Sequence, residues 1–173
     1  MEAVAPSEAT VAVLRAISRA GFAYAPTKAL CEAAGWRLVD DEPDLGYVRY
    51  DVLLAADSDE RRPLSVLIAE SNTPPWAFVP LFYFDEYDEG REPFDRAFRT
   101  LAQQLAGFLG ATARSGEYSY QHRAGWSYSF AGWSLAEATL MLVQDEFDIQ
   151  FGIDVTLWVQ PAGTSIQAPA KYE

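Results

Sequence analysis

Twenty-five carboxylates, thirteen cations and one histidine set the range of chemistry open to this chain. The densest acids are Asp85, Glu86, Asp88 and Glu89, gathered around Tyr87 in D-E-Y-D-E-G. A calcium loop needs such clustering, but the ligand spacing and closing bidentate glutamate of an EF-hand are missing, so a solvated loop is expected. A second acidic group, Asp145, Glu146 and Asp148, precedes Asp154. Two carboxylates at the right separation can hydrolyse a glycoside, and Glu70 or Asp154 beside another acid would qualify; with this many acids such a pair also arises by chance. Along one strand Asp148 and Asp154 would stand roughly 20 Å apart, too far to share a proton or a metal. His122 titrates near neutrality and is the one candidate general base. Its position among tyrosines suits stacking better than proton transfer. Cys31 is expected to be buried and inert. Zinc needs several His and Cys, and the chain has one of each. The glycines form neither a phosphate loop nor a nucleophile elbow. No catalytic residue, metal or cofactor is expected.

Aromatic residues are the other candidates. Tyr118, Tyr120 and His122 alternate up to Arg123-Ala124-Gly125, and Trp126, Tyr128 and Phe130 alternate down from it, with Trp133 just beyond. A short turn would align the two rows on one face of a hairpin spanning 118–133. Such a face could hold a sugar or planar ring beside a carboxylate. The same residues could equally fill a core or a protein interface.

The elements that must position these groups read clearly in places. Ile149, Phe151, Ile153, Val155, Leu157 and Val159 occupy every second position, so 148–160 is expected to be a long strand with one apolar face. Asp154 and Trp158 lie on its other, polar face, which is the part of the sheet expected to stay open. Pro93 to Leu109 carries Phe94, Phe98, Leu101, Leu105 and Phe108 in one helical stripe, with Asp95 and Arg99 spaced for an ion pair and Gly110 as the stop. Phe98 and Leu105 are expected to bury against Phe151 and Val155. Two short helices come first, one capped by Ser7 and ended by Gly21, the other capped by Thr27. Between them and the long helix, strands are expected at 36–39, 46–55, 64–70 and 78–84, the last at an edge or bulge because Pro80 cannot donate to a ladder. After the aromatic hairpin, 138–144 pairs with the long strand through a turn at Asp145-Glu146-Phe147. Residues 162–173 read as an irregular tail. The fold class is α+β: one domain over 1–173, with the long helix on an antiparallel sheet. No internal repeat is visible.

Composition narrows the partners. A net charge of −12 repels nucleic acid and attracts basic proteins. Membrane association is not expected, since no apolar run approaches spanning length. A lone cysteine and an N-terminus without signal-peptide order point to the cytoplasm. Eleven Arg against two Lys, with much Ala, fit a GC-rich bacterial genome.

In size, charge, α+β pattern and lack of catalytic residues, the chain resembles the small acidic immunity proteins that bacteria make beside polymorphic or contact-delivered toxins. The resemblance is one of class; it covers no motif and carries over no residue. It implies a cytoplasmic protein that occludes the active site of a basic toxin. The expected contact set is Asp85, Glu86, Tyr87, Asp88, Glu89, Asp145, Glu146, Asp148, Asp154 and Trp158, with Tyr87 and Trp158 as anchors. The alternative is a small enzyme or ligand-binding domain using Tyr118, Tyr120, His122, Trp126 and Tyr128. A plain structural subunit is a third reading.

Overall fold

The computed structural model describes residues 3–55, 61–69, 74–84, 91–119, 127–148 and 152–168. It contains three α-helices and one eight-stranded antiparallel sheet, an α+β domain. The helices are α1 (Glu8–Arg19), α2 (Tyr24–Ala33) and α3 (Glu92–Leu109). The strands are β1 (Arg37–Glu42), β2 (Tyr47–Leu53), β3 (Arg61–Leu67), β4 (Trp76–Phe84), β5 (Arg114–Tyr118), β6 (Tyr128–Ser134), β7 (Ala138–Asp148) and β8 (Gly152–Pro161). Their order across the sheet is β1-β2-β3-β4-β8-β7-β6-β5. Two four-stranded meanders, each preceded by helix, therefore meet at β4 and β8. This repeat lies in the architecture and leaves no trace in the sequence.

All three helices cover one face. Val11, Leu14 and Ile17 of α1, and Phe94, Leu101 and Leu105 of α3, join one core with Val155, Leu157 and Val159 of β8. The alternating apolar residues of 153–159 thus face the helices, as their period requires. Phe98 and Leu105 are buried with Val155, while Phe151 lies outside the described residues. Ser7 caps α1 by accepting from the Thr10 amide at 3.1 Å, and its own amide bonds Leu54 O at 2.7 Å, tying the helix to the end of β2. Ser18 Oγ donates to Gln160 O at 3.0 Å and fixes the other end of α1 on β8. Gln144 of β7 holds α3: its Nε2 donates to Asp95 Oδ1 at 3.0 Å, while its Oε1 accepts from the Ser129 amide at 2.7 Å. A buried amide satisfied on both sides specifies the docking of helix on sheet.

Several local expectations change. The second helix starts at Tyr24, with Ala23 at the cap, so Thr27 is not a cap but a buried residue one turn before Cys31. Gly21 and Phe22 both take positive φ, and this tight turn lets the chain re-enter helix four residues earlier than a Thr27 cap implies. Asp95 pairs with Arg91 at 2.8 Å rather than with Arg99, because Arg91 sits one turn upstream on the same side. Pro80 stands at a bulge, one of its two expected placements, but in a central strand and not at an edge: the register shift between Pro80 and Phe82 absorbs its missing donor. The last hairpin differs most: β7 continues to Asp148, which pairs with Gly152. Asp145, Glu146 and Phe147 therefore belong to the strand, and the link to β8 falls outside the described residues. The tail is irregular over 162–168, as its composition suggests.

Candidate functional site

Residues directly opposite in an antiparallel pair project to the same face. On the face away from the helices, one row crosses every strand: Asp40, Arg49, Ser65, Phe78, Trp158, Met141, Gly132 and Arg114. Its two halves differ. Over β5–β7 the irregular tail folds back across the sheet, with Ile166 in a small apolar cluster with Phe130, Met141 and Val143. Arg114 Nη1 donates to Ile166 O at 2.9 Å and Thr139 Oγ1 donates to Thr164 O at 3.2 Å, so the tail is pinned on both sides.

Gly132 makes that crossing possible. A Cβ there would stand 2.4 Å from Ile166 Cγ2 and 3.0 Å from two further Ile166 atoms. Gly132→Ala is expected to destabilise the protein by about 1–3 kcal/mol and lift the tail. Limited proteolysis after residue 161 checks this, and Ile166→Ala in the same chain is expected to restore most of the lost stability.

Over β1–β4 no described helix or tail residue joins the apolar clusters on this face, and Trp158, packed against the cluster that holds Ile166, stands at the border of the two halves. Here Trp76 and Phe78 stack at 5.0 Å between ring centroids, and Trp76 meets Trp158 at 5.2 Å. All three rings are half-buried. Beside them, the ion pair of Arg49 with Asp40 and that of Arg37 with Asp51 give the platform a charged margin. Trp158 is thus part of an aromatic group rather than a single apolar residue on a polar face. Sequence patterning marks Trp158 but misses Trp76 and Phe78, because their closeness to it depends on β4 being the neighbour of β8.

At one end of this face Tyr83, Asp154 and Asp145 lie side by side by register. Asp145 is only 4% exposed, and Asp154 keeps a narrow opening. Thr156 Oγ1 donates to Asp154 Oδ1 at 2.8 Å. Burial, opposed by the Thr156 hydrogen bond and reinforced by the nearby Asp145 charge, pushes the Asp154 carboxyl up to about 7. A like charge on the neighbouring strand makes ionising the enclosed Asp154 carboxyl costlier still. The acid that meets Asp154 is therefore Asp145 and not Asp148, which pairs with Gly152 one bulge further on.

The remaining candidates are distributed as follows. Asp85, Glu86, Tyr87, Asp88, Glu89, Tyr120, His122 and Trp126 lie outside the described residues. Glu146 and Asp148 are backbone members of β7. The strand ends that border 85–90, 120–126 and 149–151 lie at the Asp154 end of the sheet, since Phe84 pairs with Ile153 and Tyr118 with Tyr128. Tyr128 is fully buried, with its ring 6.2 Å from that of Phe94, and the Tyr118 hydroxyl donates to Gln144 O. These two rings act in packing. Cys31 is buried, and burial drives its thiol up to about 12, far from a reactive thiolate at neutral pH.

A hollow of about 280 Å³ on the helix side is lined by Ala12, Arg15, Ala16, Arg19 and Glu137. The 2.7 Å Arg15–Glu137 ion pair occupies its wall. Among the described residues, no three His, Cys, Asp or Glu gather to hold a metal, and no helix is long and apolar enough to cross a membrane.

Fold and face together define a single-sheet α+β protein with helices on one side and an aromatic, acid-edged surface on the other. No family model, curated protein or solved structure matches the chain.

Proposed function

We propose that this protein binds a basic protein partner and works as an immunity protein, neutralising a toxin domain by covering its active site. The observation that carries the reading is the group of half-buried rings, Trp76, Phe78 and Trp158, on the sheet face away from the described helices. Half-buried aromatic rings supply anchoring energy at little entropic cost, and a charged margin suits the rim of an interface. The net charge of −12 supports fast capture, because a one-signed field raises encounter rates with a basic partner. Glu146 and the acids of 85–90 serve steering in this scheme. The burial of Asp145 assigns it a different part, since reversing an enclosed charge tests stability and not encounter.

The test begins with capture of partners from the source bacterium by tagged protein, followed by kinetics on the purified pair. Trp158→Ala, with unchanged circular dichroism, is expected to speed dissociation by roughly thirtyfold. Reversal of Asp85, Glu86, Asp88 and Glu89 is expected to slow association, most of all at low salt. A partner whose association ignores both salt and these reversals, and whose dissociation ignores Trp158, defeats the proposal.

A further inference from the structure

Among the described residues β1 and β5 form the two edges of the sheet, and they differ. The β5 edge reads Arg114-Ser115-Gly116-Glu117-Tyr118, with Arg114 held by the tail. The β1 edge carries Leu38 at 37% exposure and Val39 at 42%, with Leu45 at 69% just beyond it. These are the exposed large hydrophobics among the described residues, and all three sit on one edge. A free edge presents unpaired amides and carbonyls along with them.

From the placement of Leu38, Val39 and the charges at either end of β1, we propose that this edge joins a second copy of the chain, antiparallel, in a weak and reversible homodimer with one continuous sheet. The strand is R-L-V-D-D-E, basic at its start, apolar in the middle and acidic at its end. An antiparallel copy sets the Arg37 end of each strand against the Asp40–Glu42 end of the other, twice over. Arg37, Asp40 and Glu42 share the open face by register, so the opposite charges meet on one side of the sheet. The Arg37 side chain is 71% exposed and able to turn outward from Asp51.

A foreign basic strand finds less here. Asp40 is already paired with Arg49, and Asp41 with Lys28 at 2.6 Å, which leaves Glu42 and Asp44 as its targets. The register shift at Val39 and the run of acids repel strands of other composition, as edge-protecting devices do. They admit a strand with an apolar middle whose single arginine falls opposite Glu42. Because β1 meets its own copy antiparallel, the contact is two-fold symmetric and closes at two.

Light scattering and sedimentation on the full chain, from about 10 µM to about 1 mM, test this range for a small strand-to-strand interface. The expected mass rises from 19.2 kDa towards twice that value. Val39→Lys, on an exposed bulge residue, is expected to hold the protein monomeric at the same melting temperature. Arg37→Glu is expected to weaken association at least tenfold, and adding Glu42→Arg to it is expected to restore most of the loss. A chain that stays monomeric at 1 mM overturns the inference and leaves the edge to an extended segment of another protein. Association that survives both Val39→Lys and Arg37→Glu also overturns it, because the contact then lies elsewhere. Neither outcome bears on toxin capture by the aromatic face, which is measured separately.

Discussion

Asp154→Asn is expected to raise the stability of the protein by about 2–4 kcal/mol at pH 8 and to change it little below pH 4. The Asp154 carboxyl is pushed up from 3.8 to about 7, first by burial and then by Asp145. The folded protein therefore keeps a proton that the unfolded chain releases as the pH passes 4. Stability conferred by that proton is complete below the unfolded value, declines as the pH climbs to about 7, and is gone above it. A shift of this size corresponds to about 4 kcal/mol, reduced where water reaches the opening beside Asp154. Asparagine keeps an oxygen for the Thr156 hydroxyl and removes the charge facing Asp145. Urea denaturation of both proteins from pH 3.5 to 8.5 measures the effect. Two parallel curves would show that Asp154 ionises normally.

The second large effect lies in α3. Phe94→Ala is expected to cost about 3–5 kcal/mol, as truncation of a fully buried phenylalanine does. Its ring is entirely enclosed and lies edge-on to Tyr128, while its carbonyl accepts from Gln144. Phe98→Ala, at a position that retains 9% exposure, is expected to cost less. Denaturation midpoints at fixed pH order the two, and the reverse order would mean that the helix sits on the sheet through a different turn.

Much of this framework was legible because period and burial agreed. The stripe through Phe94, Leu101 and Leu105 and the alternation of Ile153 to Val159 each had one face to bury, and each buries it. What escaped the sequence depended on long-range pairing. Asp145-Glu146-Phe147 has the polarity of a turn, yet the register shift between Asp145 and Asp148 carries the strand through it. An extra residue in a bulge breaks the alternation on which strand reading rests. A turn at 145–147 would keep Asp145 out of the ladder, whereas the bulged strand sets it opposite Asp154. The tail carries no periodic signal, since Ile166 is a single apolar residue whose position is set by the absence of a side chain at Gly132. For Trp76 and Phe78, exposure on the open face follows from the strand order alone.

The meeting of β4 with β8 has a consequence for how the chain is made. β8 leaves the ribosome after the other described strands, so the first meander must wait, complete but for its seam, while the second is synthesised. During that interval β4 presents a bare edge of sequence W-A-F-V-P-L-F-Y-F, as sticky a segment as the molecule contains. Pro80, in its middle, offers no amide to an intruding strand, and the register shift after it spoils a flat match. A residue that looks like an obstacle to the finished sheet is then a guard over the unfinished one, tolerated later because β8 alone is shaped to fit around it.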